Sequence, residues 1–386
     1  MSLLQFTAVP PLALYVHIPW CVRKCPYCDF NSHERRDVLD EHDYLQALIH
    51  DLELSLPEVW GRKCSSIFIG GGTPSLFSPR IYDDLISAIR ARLPLLPDCE
   101  ITLEVNPGTV ERGRFADYRA SGINRFSLGV QSFDDACLQA LGRIHDAVQV
   151  RTAIEELHHA GCTNFNLDLM FGLPGQDLDH AEADVVQALA AQPAHISYYQ
   201  LTIEPNTLFA VRAPVLPGDD LRWQMQEAGI SRLAAAGYQR YEVSAFSRAG
   251  MQCKHNLNYW RFGDYLGIGA GAHGKITYGA TNTVKRFHKH RQPEHYIKQT
   301  LAGTALAGTR ELTPKDLSLE FMMNALRLLD GFPKSLFTER TGQPVLAVAP
   351  QLAEAERRDW LHIDRNHVRP TVQGISFLND LLVLFV

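Results

Sequence analysis

The chain has 386 residues, enough for two domains, and its 46% apolar and 21% charged composition is that of an ordinary globular protein. A net charge of −6 and a pI near 6.2, without a basic stripe, exclude nucleic acid as an expected partner. No apolar run approaches the roughly 18 residues of a membrane span, and MSLLQFTAVPPLALYVHIPW, broken by Pro10 and Pro11, lacks a leader's basic start and cleavage site, so a mature, cytoplasmic protein is expected.

In chain order, short β-branched runs alternate with amphipathic stretches. LALYVHI predicts a strand leading into a cysteine loop, and DEHDYLQALIHDLELSL the helix after it. SSIFIGG ends in GGGTPS and is followed by the helical SPRIYDDLISAIRARL. EITLEVN, RFSLGVQ, NFNLDLMFG and HISYYQLTI continue the strands, with RGRFADYRASG, VQVRTAIEELHHAG and HAEADVVQALAAQ as helices between them. Six β–α units argue for a parallel sheet covered by helices. An open doubly wound sheet and a barrel both fit that alternation. Polar or glycine-rich chemistry at nearly every strand end favours the barrel, whose C-terminal face collects such groups. Six units instead of eight predict a partial (β/α)6 barrel, open at the side.

Beyond Pro217, DLRWQMQEAGISRLAAAG predicts a further helix and YQRYEVSAF one further strand. CKHNLNYWRFGDYLGIGAGAHGK then reads as a glycine-flanked aromatic loop. From about residue 310, helices followed by the hairpin WLHIDRNHVRPT predict a small helical, winged-helix-like C-terminal domain. The terminal FLNDLLVLFV reads as a packed helix, with peripheral membrane contact left open. The expected divisions are a barrel over residues 1–215, a barrel extension over 216–305 and the C-terminal domain over 306–386.

Within YVHIPWCVRKCPYCDF, Cys21, Cys25 and Cys28 stand at C-x3-C-x2-C spacing, with Phe30 where a fourth cysteine might follow. Cys64, Cys99, Cys137, Cys162 and Cys253 are scattered, which is not a disulfide framework and suggests a reducing compartment with one metal or catalytic cluster. The triplet alone allows two centres. Zinc could recruit His33 as a fourth ligand. A ferredoxin-type cluster needs four cysteines, but a [4Fe–4S] cube held at three corners would leave one iron free to chelate a small molecule.

With its other motifs, the cysteine loop resembles the radical-SAM superfamily, whose signature is C-x3-C-x2-C after the first strand. Tyr27 matches the aromatic usual inside that signature. GGGTPS, with Gly71, Gly72 and Thr73, matches the second-strand motif whose backbone approaches the methionine end of S-adenosylmethionine (SAM); a side chain there would block the approach. SAM carries an ammonium, a carboxylate and a ribose diol. The resemblance implies that Glu104, Gln131, Arg143 and Asp168 meet these groups, the arginine pairing with the carboxylate, and that Tyr15 also touches SAM.

Over its whole length the chain resembles the oxygen-independent coproporphyrinogen III oxidase family, through YVHIPWCVRKCPYCDFNSH, FIGGGTPS, NFNLDLMFGLPGQ and YQLTIEPNT. The true oxidase carries one more cysteine two residues after the third, and an N-terminal extension over its site. Here Phe30 stands at that position and fourteen residues precede Tyr15. His255, Asn256, Tyr259 and Trp260 instead match the HNxxYW motif of the family's haem-chaperone branch. A histidine can ligate haem iron and two aromatics can face a porphyrin. That resemblance implies a protein that binds haem and passes it to acceptors such as respiratory enzymes, with a [4Fe–4S] cluster and SAM. His273, His288, His290 and His295 are secondary haem candidates, and Cys253 is near enough to raise covalent attachment. The alternatives are the oxidase itself and a non-catalytic zinc protein.

Overall fold

The computed structural model describes residues 4–35, 40–109 and 113–386. Its sheet grows outward from strand β1 (Leu12–Ile18), buried on both faces except for part of Tyr15, the pattern of a central parallel strand. Strands β2 (Cys64–Gly71), β3 (Leu95–Val105), β4 (Arg125–Gln131), β5 (Phe165–Phe171) and β6 (His195–Gln200) follow in sequence order, each parallel to its predecessor. Helices α1 (Glu41–Ser55), α2 (Pro79–Arg92), α3 (Arg114–Ala120), α4 (Asp135–Ala140), α5 (Ala147–His159) and α6 (Leu178–Ala190) lie in the crossovers. Their starts are chemically marked. The Asp40 side chain accepts the Asp43 N–H at α1, and Asp146 and Gln149 form a reciprocal capping box at α5.

Helix α7 (Asp219–Ala235) forms as expected, but YQRYEVSAF is not one strand. It folds back as β7 (Gln239–Arg240) and β8 (Ala245–Ser247), antiparallel to each other beside β6. Arg240 braces the reversal: its Nε donates to the Val243 carbonyl at 3.1 Å across the turn.

The aromatic segment is also a correction. KHNLNYW is helix α8 (Lys254–Trp260), not a loop. Glu100 of β3 accepts the Lys254 N–H at 2.9 Å, satisfying one of the donors that a helix start leaves without a partner. That carboxylate is distant in sequence, so local pattern gives no sign of it.

After α8, strand β9 (Asp264–Ile268) adds parallel to the free side of β1, Leu12 opposite Asp264. Strands β10 (His273–Tyr278), β11 (Thr283–Lys289) and β12 (Leu306–Glu311) continue the sheet antiparallel, with α9 (Pro293–Leu301) before the last. Among the described residues this sheet runs from β12 at one edge to β7 at the other and does not close, so the barrel is partial. Two buried carboxylates inside it are paired. Lys275 and Arg62 both bind Asp264, and Lys289 binds Asp51.

A second core forms where Phe321 of α10 (Pro314–Ala325) meets Phe262, Phe332 and Phe337 edge to face. Helices α11 (Lys334–Thr341) and α12 (Ala349–Arg357) and a three-stranded sheet complete this helical domain, the sheet being β13 (Phe332–Pro333), β14 (Leu361–Ile363) and β15 (His367–Pro370). FLNDLLVLFV packs here through Leu381 and Phe385. Among the described residues no helix is long and apolar enough to cross a membrane.

Candidate functional site

The C-terminal ends of β1 to β6 surround a cavity of about 460 Å³. Cys21, Cys25 and Cys28 line it from the loop after β1. The loop is closed by backbone pairing of Trp20–Cys21 with His33–Glu34, and by Lys24 Nζ donating to the Phe30 carbonyl at 3.0 Å. Burial pushes the Cys21 and Cys28 thiols up, and at Cys28 the nearby Lys24 charge offsets that only in part. His33 does not line the cavity, and among the described residues no three His, Cys, Asp or Glu side chains gather around a single-ion position. The donor set is three thiols along one wall of a roomy pocket. It fits a cluster with an open corner better than a zinc cage.

Gly71 and Gly72 let the second loop approach the first. A Cβ on Gly72 would come within 2.5 Å of the Trp20 carbonyl oxygen, and Gly71 holds φ at +119°, which favours glycine. Thr73 follows, its N–H donated to Trp20 O at 2.7 Å.

Glu104, Gln131, Arg143 and Asp168, expected to act together, do line this one cavity, as does Tyr27. Burial, with Asp168 nearby, raises the Glu104 carboxyl to about 7. The hydrogen bond it receives comes from Gly71 N–H at 3.1 Å. Burial also raises Asp168, against hydrogen bonds that favour its charge; Ser127 donates at 3.1 Å and Asn166 at 2.8 Å. Gln131 occupies the left-handed region at φ 71°, where the β4–β5 register shifts, and Tyr199 donates to its Oε1 at 2.8 Å. That irregularity aims a strand-end amide into the cavity. Arg143 donates to Gly129 O at 3.0 Å and lies 3.6 Å from Cys25 Sγ, and its buried Nε has no hydrogen-bond partner. Two buried acids that form no ion pair among the described residues, beside an incompletely used guanidinium, fit a ligand bearing both an ammonium and a carboxylate. SAM is such a ligand. Tyr15 is the exception. It lines the neighbouring cavity, its hydroxyl 3.0 Å from His17 Nδ1.

That second cavity measures about 770 Å³ and is walled by His255, Asn256, Tyr259 and Trp260 of α8. Helical geometry explains their spacing, because residues four apart share a face. His255 is deeply buried with its ring 5.1 Å from Phe68 and its Nδ1 3.2 Å from Ser66 Oγ. Burial, helped by the charge of Arg125, lowers it to about 3, so its imidazole is neutral at physiological pH. In the tautomer whose Nδ1–H is donated to Ser66 Oγ, Nε2 keeps a lone pair for a metal. Tyr259 packs between Trp260 and Tyr265, ring centres 5.3 and 5.2 Å away, and Arg327 of the C-terminal domain lies 4.5 Å over Trp260.

The remaining candidates divide. His273 and His288 line the second cavity, whereas His290 and His295 pack on each other and do not. Cys253 is fully buried, 3.5 Å from Glu100 Oε1, and does not line it either. Sequence reasoning missed Ser66, Phe68 and Tyr265. Ser66 and Phe68 share a face of SSIFIGG by strand alternation, a signal that was available. The two cavities share Asp29, Phe30, Gly71 and Glu104.

A half-open parallel barrel with a cysteine triplet on its first loop and acids at its strand ends defines a radical-SAM protein, and the radical SAM superfamily model matches residues 15–186. Residues 312–377 match the HemN C-terminal domain. The chain is 49% identical to the heme chaperone HemW of Escherichia coli (strain K12), covering 98% of this chain and 99% of that protein. It is 48% identical to HemW of Haemophilus influenzae, covering 98% of both. The chain belongs to the HemW family. Its fold is that of the E. coli coproporphyrinogen III oxidase HemN, described as a radical SAM enzyme, with TM-score 0.82 over 98% of this chain and 90% of that one at 23% identity. Membership of the superfamily implies a [4Fe–4S] cluster and SAM.

Proposed function

We propose that the protein is a haem chaperone. It takes up haem in the cavity walled by α8 and passes it to acceptor haemoproteins such as respiratory enzymes, in the cytoplasm. The observation that carries this reading is His255: a buried, neutral imidazole, held through Nδ1, on the wall of a cavity of about 770 Å³ lined by tyrosine and tryptophan rings. A flat apolar macrocycle with a metal at its centre needs that combination.

Cys21, Cys25 and Cys28 would hold the cluster. Glu104 and Asp168 would receive the cationic and hydroxyl groups of SAM, Gln131 would bind it through its amide, and Arg143 would pair with its carboxylate, against the backbone of Gly71, Gly72 and Thr73. Tyr27 supports Arg143 from 3.5 Å. Bound there, cluster and SAM can supply one-electron chemistry. The chain's own contribution is to keep the carboxylates and the guanidinium buried and oriented.

The oxidase reading fares worse. Phe30, 57% exposed, stands in the wall common to both cavities where the oxidase pattern has a cysteine. Anaerobically reconstituted protein should therefore bind haem with a new Soret band, yet yield no protoporphyrinogen IX from coproporphyrinogen III with SAM and a reductant. Turnover that depends on SAM would reverse the choice; absence of haem binding would remove the chaperone reading.

A further inference from the structure

Besides the aromatic α8 wall, the second cavity has a rim of nitrogen-bearing side chains, in which burial lowers His273 and leaves it a neutral N–H donor. His273 of β10 and His288 of β11 stand in register, their rings 5.8 Å apart and 29° from parallel. Both are exposed and line the cavity. Gly308 of β12 makes room, since a Cβ there would come within 2.4 Å of the His288 ring. Arg291, just beyond β11, completes the rim. Its guanidinium makes one long contact, Nε to Asn31 Oδ1 at 3.5 Å, and among the described residues no carboxylate forms an ion pair with it.

The backbone under Arg291 is nonetheless fixed. Asn31 Nδ2 donates to Ala270 O and Arg291 O, both at 2.9 Å, and Gly271 N–H donates to His290 O at 2.8 Å. An exposed guanidinium on a fixed backbone, with its fork free, is preorganised for a planar anion. Asp29 and Glu104, the acids lining the same cavity, belong to the wall shared with the cluster cavity and would repel an anion placed there.

Haem is a dianion at one edge. With its iron drawn to His255 in the buried part of the cavity, its propionates must reach solvent or find cations, because a buried unpaired carboxylate is costly. We propose that Arg291, assisted by His273 and His288, forms a carboxylate subsite that takes the haem propionates and sets which edge of the macrocycle faces out. This rests on haem binding at His255.

The test compares haem with haem dimethyl ester, in which both carboxylates are neutralised, using the full cluster-reconstituted chain. The unmodified protein should bind the ester about tenfold more weakly than haem, the scale of one charge-assisted contact. Arg291→Gln should weaken haem by a similar factor and leave the ester unchanged, and Arg291→Lys should recover part of the loss. His273→Ala with His288→Ala should weaken haem less, without moving the Soret band. Equal affinity of the unmodified protein for haem and ester would overturn the subsite while leaving haem binding intact. A Soret shift in the double histidine variant would make those residues iron ligands and remove them from the subsite. Failure of the unmodified protein to bind either ligand would instead defeat the haem reading itself.

Discussion

The cluster cavity and the α8 cavity share Asp29, Phe30, Gly71 and Glu104, yet they are built from different chemistry. The first collects thiols, carboxylates, an amide and a guanidinium from consecutive parallel strands and the segments that follow them. The second adds one helix and the antiparallel strands past β9, and its walls are mainly rings. Buried charge is expensive unless a ligand meets it, so the chemistry of the first cavity suits a small, multiply charged molecule. Apolar rings impose no such requirement, and the second suits the large flat ligand proposed for it. One sheet thus carries two different cavities because its extension beyond β1 changes strand direction and side-chain chemistry together.

Substitutions should separate the two regions, and the largest effect falls on the thiols. Cys21→Ala, Cys25→Ala or Cys28→Ala should each abolish the brown iron–sulfur chromophore after anaerobic reconstitution. Cys64→Ala, Cys99→Ala and Cys162→Ala should retain it, since these residues are buried small side chains of the barrel core. Stoichiometric zinc without iron would refute the cluster assignment.

Next comes His255→Ala. It should shift or remove the Soret band and weaken haem by at least about tenfold, roughly 1.4 kcal/mol, with the cluster chromophore intact. Loss of both chromophores would mean that the two cavities do not fold independently. Because the His255 imidazole stays neutral down to about 3, the Soret spectrum of the unmodified complex should not change between pH 6 and 9.

Glu104 sharpens the contrast through pH. Its folded carboxyl lies near 7, above the ordinary 4.5, because burial disfavours its charge. A raised folded value means that the contribution to stability is complete below 4.5 and is lost as pH rises through 7. Glu104→Gln should therefore remove up to about 3 kcal/mol of the alkaline loss in ligand-free protein, read as the difference in denaturant unfolding between pH 5 and 8. The same variant should weaken SAM at pH 8. An unchanged pH slope would show that Glu104 is ionised before a ligand arrives.

The smallest expected effects belong to the rings. Tyr259→Ala and Trp260→Ala should each weaken haem by a few-fold, about 1 kcal/mol of lost contact, with little spectral change. Trp260→Ala should also cost some stability, because Arg327 then loses the ring beneath it. A large Soret shift in either variant would mean that the aromatics position the iron and do more than cover the macrocycle.

Features that span a few residues are legible in the amino-acid sequence by itself. The three cysteines and their loop, the glycines of GGGTPS, the alternation that makes a six-unit barrel, and the chemistry of HNxxYW all depend on neighbours in the chain. Glu104, Gln131 and Asp168 lie in recognisable strands, and parallel pairing brings the C-terminal ends of such strands to one face, but their joint role, and that of Arg143 beyond α4, is legible only through the family resemblance. Tertiary structure alone decides the rest. Glu100 turns an apparent loop into a helix by accepting a hydrogen bond from Lys254, far along the chain. Ser66 gives His255 its orientation, and the pairing of β9 with β1 puts Tyr15 beside the aromatic helix and not beside the cysteines. The physical reason is range. Turn geometry, capping and periodicity act over a few residues, whereas a buried cap or a shared cavity wall exists only after strand register has brought distant side chains within hydrogen-bonding distance.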